Sequence, residues 1–331
     1  MKILVTNPIG YERDSFLDAE TCERLNKLGE VEYNTTERHF TREELKAKLA
    51  DKDILLTGWG TPKLDSELLR GSSVKLVAHT GGSVSLLLHM SVYDLGIKVA
   101  SGNRYYAESV AEGTLAYILF ALRKLDYFAA EVKKGEWPIN AAAYNEGLLD
   151  QTVGVISLGA ISRNLINMGK VFRIKFKVYS HRPNPETAKE LGFEYASLEE
   201  IFSTCKVITL HTAQNAETYH MIDMPLLKLM RDGTVFINTS RGSVVNEAAL
   251  IEELKTGRFS AVLDVYDVEP LPQNSPLLKL DNVSLFPHQG GPTLDRRRIV
   301  GEKMTDDIER FINGKPLLDQ IPRHIAEEMT T

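Results

Sequence analysis

The chain has 331 residues, which at about 150 residues per domain predicts two domains. Apolar residues make up 43% of it and charged residues 25%, and these values exclude the disordered, collagen-like and disulfide-scaffold classes. Lys and Arg number 39 against 45 Asp and Glu, so the net charge of −6 provides no overall positive field for nucleic acid or an anionic membrane. An anionic ligand must therefore be held by local groups.

Targeting and metal-binding signals are missing from the sequence. No apolar run approaches the roughly 18 residues that predict a membrane span, and the short stretch from Met1 to Val5 is typical of a first strand rather than a signal peptide. Cys22 and Cys205 form neither a disulfide framework nor a metal site of known spacing, and the histidines share no metal-ligand spacing. We expect a cytoplasmic protein with reduced cysteines and no metal.

The first hundred residues alternate between β-rich runs and helical patterns, which is typical of a parallel sheet. Thr41 with Glu44 predicts a capping box, and Thr61 followed by Pro62 predicts a helix start. The predicted strands are residues 3–5, 31–33, 54–57, 74–78 and 97–100.

A long helical pattern then runs from Tyr106 to Lys134, and we expect this helix to bridge two domains or to dimerise. Alternation resumes after it, and a last helix is predicted over 293–313, with its sheet left open. The fold class is α/β, with two doubly wound parallel-sheet domains. The strands predicted for the second series are residues 153–158, 176–180, 207–211, 235–239, 261–265 and 283–286.

The turn after residue 156 has the setting of a dinucleotide fingerprint: an apolar strand, a sharp turn and the start of a helix. Its pattern is S-x-G-x-x-S, with Ser157 and Ser162 where glycines are usual and Gly159 where the diphosphate comes closest. Ser157, Gly159, Ala160 and Ile161 are therefore candidate cofactor-binding residues. An ordinary βα turn is the alternative.

The end of the next strand bears on which dinucleotide is bound. An Asp or Glu usually meets a free ribose 2′-hydroxyl here, but the sequence has Ser180, His181 and Arg182. Arg binds a 2′-phosphate bidentately and no carboxylate repels it, which favours NADP over NAD. The alternative is a solvated strand end without a ligand.

Three later strands are each followed by a residue suited to 2-oxo acid reduction. Arg241, Glu269 and His288 come after successive strands, and in an open α/β sheet such positions face the ligand crevice. A hydride that reaches a carbonyl carbon leaves an alkoxide, and histidine is the best proton donor near neutrality. Glu269 would keep His288 charged and oriented, and Arg241 would bind the substrate carboxylate and polarise its carbonyl.

With these motifs the chain resembles the family of D-isomer-specific 2-hydroxyacid dehydrogenases. The resemblance implies that Arg241, Glu269 and His288 are the catalytic residues, in agreement with the chemical argument. The matching segments are Val110-Ala111-Glu112, Val153-Gly154-Val155, Leu210-His211, Asn238 to Gly242, Gly257-Arg258, Leu263-Asp264-Val265, Glu269-Pro270 and Pro287-His288 with Gly290-Gly291.

The same resemblance implies further contacts. Asp264 would contact the nicotinamide carboxamide, and the substrate would lie in a cleft between the domains. The substrate carboxylate and carbonyl would be bound by Gly81, Gly82, Ser83, Arg241 and His288. The remaining cofactor-binding residues implied by the matched segments are His211, Thr212, Ala213, Thr239 and Gly290.

The predicted domains are a discontinuous substrate-binding domain, 1–103 with 297–331, and a dinucleotide-binding domain, 104–296. We expect an enzyme that reduces a small 2-oxo acid to the 2-hydroxy acid with NADPH or NADH, and glyoxylate and hydroxypyruvate are substrates by analogy. A homodimer is expected, without nucleic-acid or membrane partners. The alternative is a non-enzymatic, nucleotide-sensing interaction protein of the same fold, which the eroded fingerprint favours.

Overall fold

The computed structural model describes residues 1–140 and 145–329. It divides into two compact units, one formed by Met1–Ala107 with the segment that begins at Pro292, the other by Glu108–Gly291. The assignment of 1–103 with 297–331 to substrate and of 104–296 to a dinucleotide remains a prediction, and residues 330–331 of the first range lie outside the described residues.

Strands and helices alternate along the chain. The strands are β1 (Lys2–Val5), β2 (Glu30–Tyr33), β3 (Ile54–Thr57), β4 (Leu76–His79), β5 (Lys98–Ser101), β6 (Thr152–Ile156), β7 (Lys175–Tyr179), β8 (Glu194–Tyr195), β9 (Val207–Leu210), β10 (Val235–Asn238), β11 (Ser260–Leu263) and β12 (Val283–Leu285). The α-helices are α1 (Tyr11–Phe16), α2 (Ala19–Leu28), α3 (Arg42–Lys48), α4 (Ser66–Leu69), α5 (Asn103–Leu122), α6 (Leu125–Lys133), α7 (Ala160–Gly169), α8 (Pro185–Leu191), α9 (Leu198–Thr204), α10 (Met224–Leu227), α11 (Glu247–Leu254), α12 (Leu294–Ile312) and α13 (Arg323–Glu328). Short 3-10 helices cover Leu49–Asp51, Met90–Leu95, Lys170–Phe172, Gly242–Val244 and Pro276–Lys279.

The first unit contains a parallel sheet with the strand order β2-β1-β3-β4-β5. Alternate strand residues face opposite sides, so Leu4 and Leu55 belong to one apolar cluster and Ile3 and Ile54 to the other. Helix α12 packs on the second cluster through Val300 and its neighbours in the helix. The helix predicted over 293–313 therefore covers the sheet of the first unit.

The second unit contains a parallel sheet with the order β12-β11-β10-β9-β6-β7-β8. The chain changes direction across the sheet between β6 and β9, the arrangement that opens a crevice at the carboxyl ends of the strands. The two parallel-sheet α/β domains of the predicted fold class are confirmed. Strand β10 lies between β9 and β11, and β12 is at the edge.

The predicted helix over 106–134 is wrong in its continuity. Helix α5 ends at Leu122, and α6 begins only after Lys124, whose φ of 48° places it in the left-handed region. The apolar spacing continues through the break, but the side chains behind it differ. Helix α5 contributes Ile118 and Leu122 to a buried cluster, whereas no residue of α6 is buried.

The capping signals had mixed outcomes. The Thr41 capping box is confirmed, since its hydroxyl accepts from the Glu44 N–H and the Glu44 carboxylate accepts from the Thr41 N–H. The helix start at Thr61 is wrong: α4 begins at Ser66, capped by Asp65. The Thr61 hydroxyl instead bonds to that of Thr6 at 2.8 Å, so tertiary contacts occupied the side chain that was expected to cap a helix.

The described part of the chain contains no helix with both the length and the apolar character needed to cross a bilayer.

Candidate active site

Neighbouring strands of the second sheet place an arginine, a glutamate and a histidine at one edge. Arg241 follows β10, Glu269 follows β11 and His288 follows β12, and these three strands are adjacent and parallel. Parallel strands end at the same edge of a sheet, so residues far apart in sequence come together there.

The glutamate and the histidine are hydrogen-bonded to each other. Glu269 Oε2 lies 2.7 Å from His288 Nδ1, and Glu269 Oε1 accepts the backbone N–H of Tyr266 at 3.1 Å. His288 has a φ of 51°, a conformation that is uncommon outside glycine and that concentrates at functional sites. Because Nδ1 is engaged with the carboxylate, Nε2 is the nitrogen available to a ligand.

Arg241 is half-buried within electrostatic range of Glu269. Burial lowers the pKa of Arg241, and the negative charge of Glu269 opposes the shift. Nη1 donates to the carbonyl of Ser240 at 2.7 Å, and the Asn238 amide donates to the Arg241 carbonyl at 3.0 Å. A partly desolvated guanidinium held in this way is suited to a bidentate bond with a carboxylate.

The residue after this arginine, Gly242, has to be glycine because another backbone segment passes close to it. A Cβ at Gly242 would lie 2.0 Å from the carbonyl carbon of Tyr266, so only glycine lets the two backbones approach. The contact brings the Arg241 segment against the turn that leads to Glu269.

Asp264, predicted to contact the nicotinamide, anchors the segment that follows His288. Its buried carboxylate accepts the N–H groups of Gln289 at 2.8 Å and Gly290 at 2.7 Å, and the hydroxyl of Tyr117 at 3.2 Å. Sequence reasoning missed Tyr117, because no local pattern encodes its bond to Asp264. Burial raises the pKa of Tyr117 well above its usual value, so it stays a donor.

The fingerprint turn is built with serine in place of glycine. Ser157 follows β6 with a φ of 78°, the left-handed region where a glycine would be unstrained. The hydroxyl of Ser162, in α7, donates to the Ser157 carbonyl at 2.6 Å, so the two substituted positions are bonded to each other.

Gly159 and the first residues of α7 leave the turn open to a ligand. A Cβ at Gly159 would meet nothing within 4 Å, and as N-cap the glycine supplies no side-chain bond to Ala160 or Ile161. Helix N–H groups without a side-chain cap form an anion site, and the missing side chain leaves room for close approach.

The end of β7 carries the residues assigned to the ribose. The Ser180 hydroxyl accepts the Arg182 N–H at 3.2 Å, and the His181 ring meets Tyr179 edge-on at 5.2 Å between centroids. His181 and Arg182 are exposed. The geometry is compatible with the predicted role, which stays a prediction.

The turn from His211 to Ala213 is tied to β6. The His211 N–H and the Thr212 hydroxyl both donate to the Ile156 carbonyl, at 3.0 and 3.3 Å. Burial lowers the pKa of His211 to about 3, and its Nδ1 is buried without a hydrogen-bond partner among the described residues. A neutral imidazole with one open nitrogen fits a polar ligand atom at this edge.

Two other implied cofactor positions lie at the same end of the sheet. Thr239 is 3.3 Å from Thr114, oxygen to oxygen. A Cβ at Gly290 would lie 2.8 Å from an oxygen of Asp264, so glycine is needed for the anchor described above. Their roles toward a cofactor remain predictions.

The predicted substrate residues Gly81, Gly82 and Ser83 belong to the first unit and follow β4. The Gly81 carbonyl accepts the Gly102 N–H at 3.0 Å, and the Gly82 carbonyl accepts the Ser101 hydroxyl at 2.9 Å. Both bonds use carbonyl groups, and the carboxylate contact expected at this turn stays a prediction.

Comparisons with known proteins point to one family. Residues 115–290 match the model described as "D-isomer specific 2-hydroxyacid dehydrogenase, NAD binding domain". A glyoxylate reductase from Thermococcus litoralis is 32% identical over 299 residues, 88% of this chain and 90% of the relative. A crystal structure of a protein from Thermus thermophilus, 26% identical, superposes with a TM-score of 0.79 over 97% of this chain and 100% of the other.

A D-3-phosphoglycerate dehydrogenase from Methanocaldococcus jannaschii is 32% identical over 317 residues, 95% of this chain. The chain spans only 58% of that relative's length, and 59% of a second phosphoglycerate dehydrogenase, from Archaeoglobus fulgidus.

Proposed function

Because the chain belongs to the D-isomer-specific 2-hydroxyacid dehydrogenase family, we propose that it reduces a small 2-oxo acid to the 2-hydroxy acid with a nicotinamide cofactor. The observation that carries the proposal is the 2.7 Å pair of Glu269 and His288 at the same sheet edge as Arg241. A family relative without this constellation would bind a dinucleotide but lack a proton donor.

His288 supplies the proton. Glu269 holds Nδ1, which fixes the ring and leaves Nε2 as the nitrogen that would face the substrate oxygen. As the carbonyl carbon gains a hydride, the oxygen becomes an alkoxide and takes the proton from Nε2. The Asp264 anchor keeps the residues after His288 in place during this transfer.

Arg241 binds and polarises the substrate. Its guanidinium carries a fixed charge in a half-buried setting, where an interaction with a carboxylate or a developing alkoxide is stronger than in water. We propose that it holds the carboxylate together with the backbone at Gly81, Gly82 and Ser83.

The residues of the second unit fit a dinucleotide. Gly159 leaves open space where a side chain would block a diphosphate, and His211 Nδ1, which has no hydrogen-bond partner in the described part of the chain, can bond to a polar atom of the cofactor. Ser157, Gly159, Ala160 and Ile161 would hold the diphosphate at the start of α7. When bound, the reduced nicotinamide supplies the hydride.

We propose NADPH as the preferred form of the cofactor. Support comes from the β7 end, where Ser180, His181 and Arg182 offer donors and no Asp or Glu meets the ribose. A 2′-phosphate gains charge-assisted bonds there, whereas a free 2′-hydroxyl lacks its usual acceptor.

We propose a homodimer that forms through α6 and the residues after it. Leu125, Tyr127 and Val132 of α6 are about half exposed, and Trp137 and Ile139 more so. Exposed apolar side chains in one stretch mark an association surface. Leu125→Glu should convert a dimer to a monomer in light scattering, and a wild-type chain that is monomeric at micromolar concentration would contradict the assignment.

A cytoplasmic location is also part of the proposal. Cys22 and Cys205 are both unpaired, and burial raises the pKa of the Cys205 thiol to about 11, so it is protonated and unreactive. Cell fractionation tests this location.

Initial rates with glyoxylate, hydroxypyruvate, pyruvate and phenylpyruvate, each with NADH and NADPH, test the function. Glyoxylate and hydroxypyruvate follow the names of the relatives. We expect turnover with at least one acid and a lower KM for NADPH. Cofactor binding without turnover on any 2-oxo acid would instead favour a nucleotide-sensing interaction protein.

A further inference from the structure

The first unit has its own polar cluster at the carboxyl end of its sheet. Asn7 follows β1, and Trp59 follows β3, in contact with Tyr106 at 5.7 Å between ring centroids. Among the described residues, Asn7 Oδ1, His39 Nδ1 and Tyr106 Oη are buried without a hydrogen-bond partner. Unpaired buried polar atoms are costly, so several at one end of a sheet indicate a place for a ligand.

The carboxylate in this cluster already has its partners. Glu12 Oε2 lies 3.2 Å from His39 Nε2, and Glu12 Oε1 accepts the Asn7 amide at 3.3 Å. Burial raises the pKa of Glu12, while His39, Asn7 and Arg297 oppose the shift. The negative charge of the Glu12 carboxylate is thus stabilised by its contacts with His39 and Asn7.

Arg297 is the cation of the cluster. Its guanidinium lies 5.7, 5.6 and 5.4 Å from the ring centroids of Tyr11, Phe16 and Trp59, and Nε donates to the Pro292 carbonyl at 3.2 Å. Within the described ranges, no carboxylate approaches Arg297 within 4.0 Å. The rings set the plane of the guanidinium and leave its two terminal nitrogens for an acceptor.

Two glycines, Gly58 and Gly81, let side chains of this cluster pack closely against the backbone. A Cβ at Gly58 would lie 1.9 Å from the Asn7 amide nitrogen, and one at Gly81 would lie 2.9 Å from the Trp59 indole nitrogen. The Trp59 ring centroid also lies 5.4 Å from the Arg297 guanidinium, so Trp59 neighbours both that arginine and the predicted carboxylate turn at Gly81. Arg297 and that turn therefore both neighbour the same indole ring.

We propose that Arg297, assisted by the Tyr106 hydroxyl, binds a second carboxylate at the far end of the substrate, which makes the preferred substrate a 2-oxodicarboxylic acid. This inference rests on the proposed function and names its substrate class. Burial raises the pKa of Tyr106, so its hydroxyl is a donor.

The charge balance favours a carboxylate over a phosphate. One guanidinium offers two parallel N–H donors, which match the two oxygens of a planar carboxylate. A phosphate dianion beside Glu12 would bring two negative charges against the single positive charge of Arg297. A single negative charge is the better fit.

The test compares kcat/KM for oxaloacetate and 2-oxoglutarate with that for pyruvate and 2-oxobutyrate. We expect the wild type to prefer the dicarboxylates. Arg297→Gln should lower their kcat/KM about 10- to 100-fold, with a much smaller effect on the monocarboxylates. Tyr106→Phe should act in the same direction, more weakly, and the exposed neighbour Arg298→Gln is the matched control.

Two kinetic outcomes overturn the inference. An equal loss of kcat/KM for dicarboxylates and monocarboxylates in Arg297→Gln would show that the arginine only stabilises the fold of the first unit. A higher kcat/KM for phosphohydroxypyruvate than for either dicarboxylate would show that the site prefers a phosphate.

A binding assay separates this inference from the proposed function. Glutarate cannot be reduced, and Trp59 is one of two tryptophans in the chain, so fluorescence in a Trp137→Phe background reports on the cluster. Saturable quenching by glutarate but not by butyrate, lost in Arg297→Gln, supports the site even if no 2-oxo acid is turned over. Identical responses to glutarate and butyrate would exclude it.

Discussion

The two units carry the same three residue types at the carboxyl edges of their sheets, yet we propose proton transfer for only one of the two sets. The first unit has Glu12 and His39 at 3.2 Å with Arg297, and the second has Glu269 and His288 at 2.7 Å with Arg241. The difference lies in what surrounds each set. The types of residue at a sheet edge do not by themselves define a catalytic site.

The side chain of His288 is 49% exposed and that of His39 33%, and in the first unit Arg297 lies against three aromatic rings. Backbone geometry differs as well. Among the described residues, every non-glycine residue with positive φ, including Ser157 and His288, belongs to the second unit. Ser157 and His288 belong to the candidate sites of that unit, and strain of this kind concentrates at functional sites.

The largest expected effect comes from His288→Gln. Loss of the proton donor should lower kcat by about 10²- to 10⁴-fold while the Kd for the cofactor stays nearly constant. His39→Gln, the corresponding change in the first unit, should lower kcat by a far smaller factor, since His39 positions Glu12. Steady-state kinetics and cofactor titration measure both effects. Equal losses of kcat in the two variants would show that the histidines of the two units do not differ in role.

Arg241→Lys should have the next largest effect. A single ammonium cannot form the bidentate bond, so kcat/KM should fall about 10²-fold for every 2-oxo acid. Arg297→Lys should weaken only substrates with a second carboxylate. A substrate-dependent loss in the Arg241 variant would mean that the two arginines share one role.

Acid should destabilise both units through their buried histidines. Burial lowers the pKa of His79 to about 4 and that of His211 to about 3, while an unfolded imidazole titrates near pH 6.5. The unfolded chain therefore binds more protons below pH 6.5, and unfolding free energy falls towards pH 4 by up to about 1.4 kcal/mol per pH unit per histidine.

Urea midpoints at pH 7.5, 6 and 5 measure this loss. His79→Gln should flatten the slope of the first unit alone, and His324→Gln, an exposed histidine, is the control. A control variant with the same reduced slope would mean that the acid sensitivity does not come from burial.

The smallest expected effect is a gain. Ser157→Gly relieves a φ of 78° and should stabilise the second unit by about 1 kcal/mol, a rise of roughly 2–4 °C in Tm. Ser157→Ala keeps the strain and should give no gain. Calorimetry distinguishes them, and a destabilised glycine variant would show that the turn needs the serine side chain more than a relaxed backbone.

Much of the fold followed from local patterns, because parallel strands buried on both faces read as apolar runs. Local patterns failed where a tertiary contact competed. Thr61 bonds to Thr6 instead of capping a helix, and Lys124 breaks a helix whose apolar spacing continues. The Tyr117 bond to Asp264 joins residues 147 positions apart, and no local signal encodes such a pair.

The sequence by itself determined the fold class, the family and the three residues of the candidate site, because strand ends and motif spacing are local properties. Tertiary structure alone decided three things: the Asp264 anchor, the strained conformations of Ser157 and His288, and the ring cage around Arg297. Each depends on side chains or backbones brought together from distant parts of the chain, and the packing that does so is a property of the folded molecule as a whole.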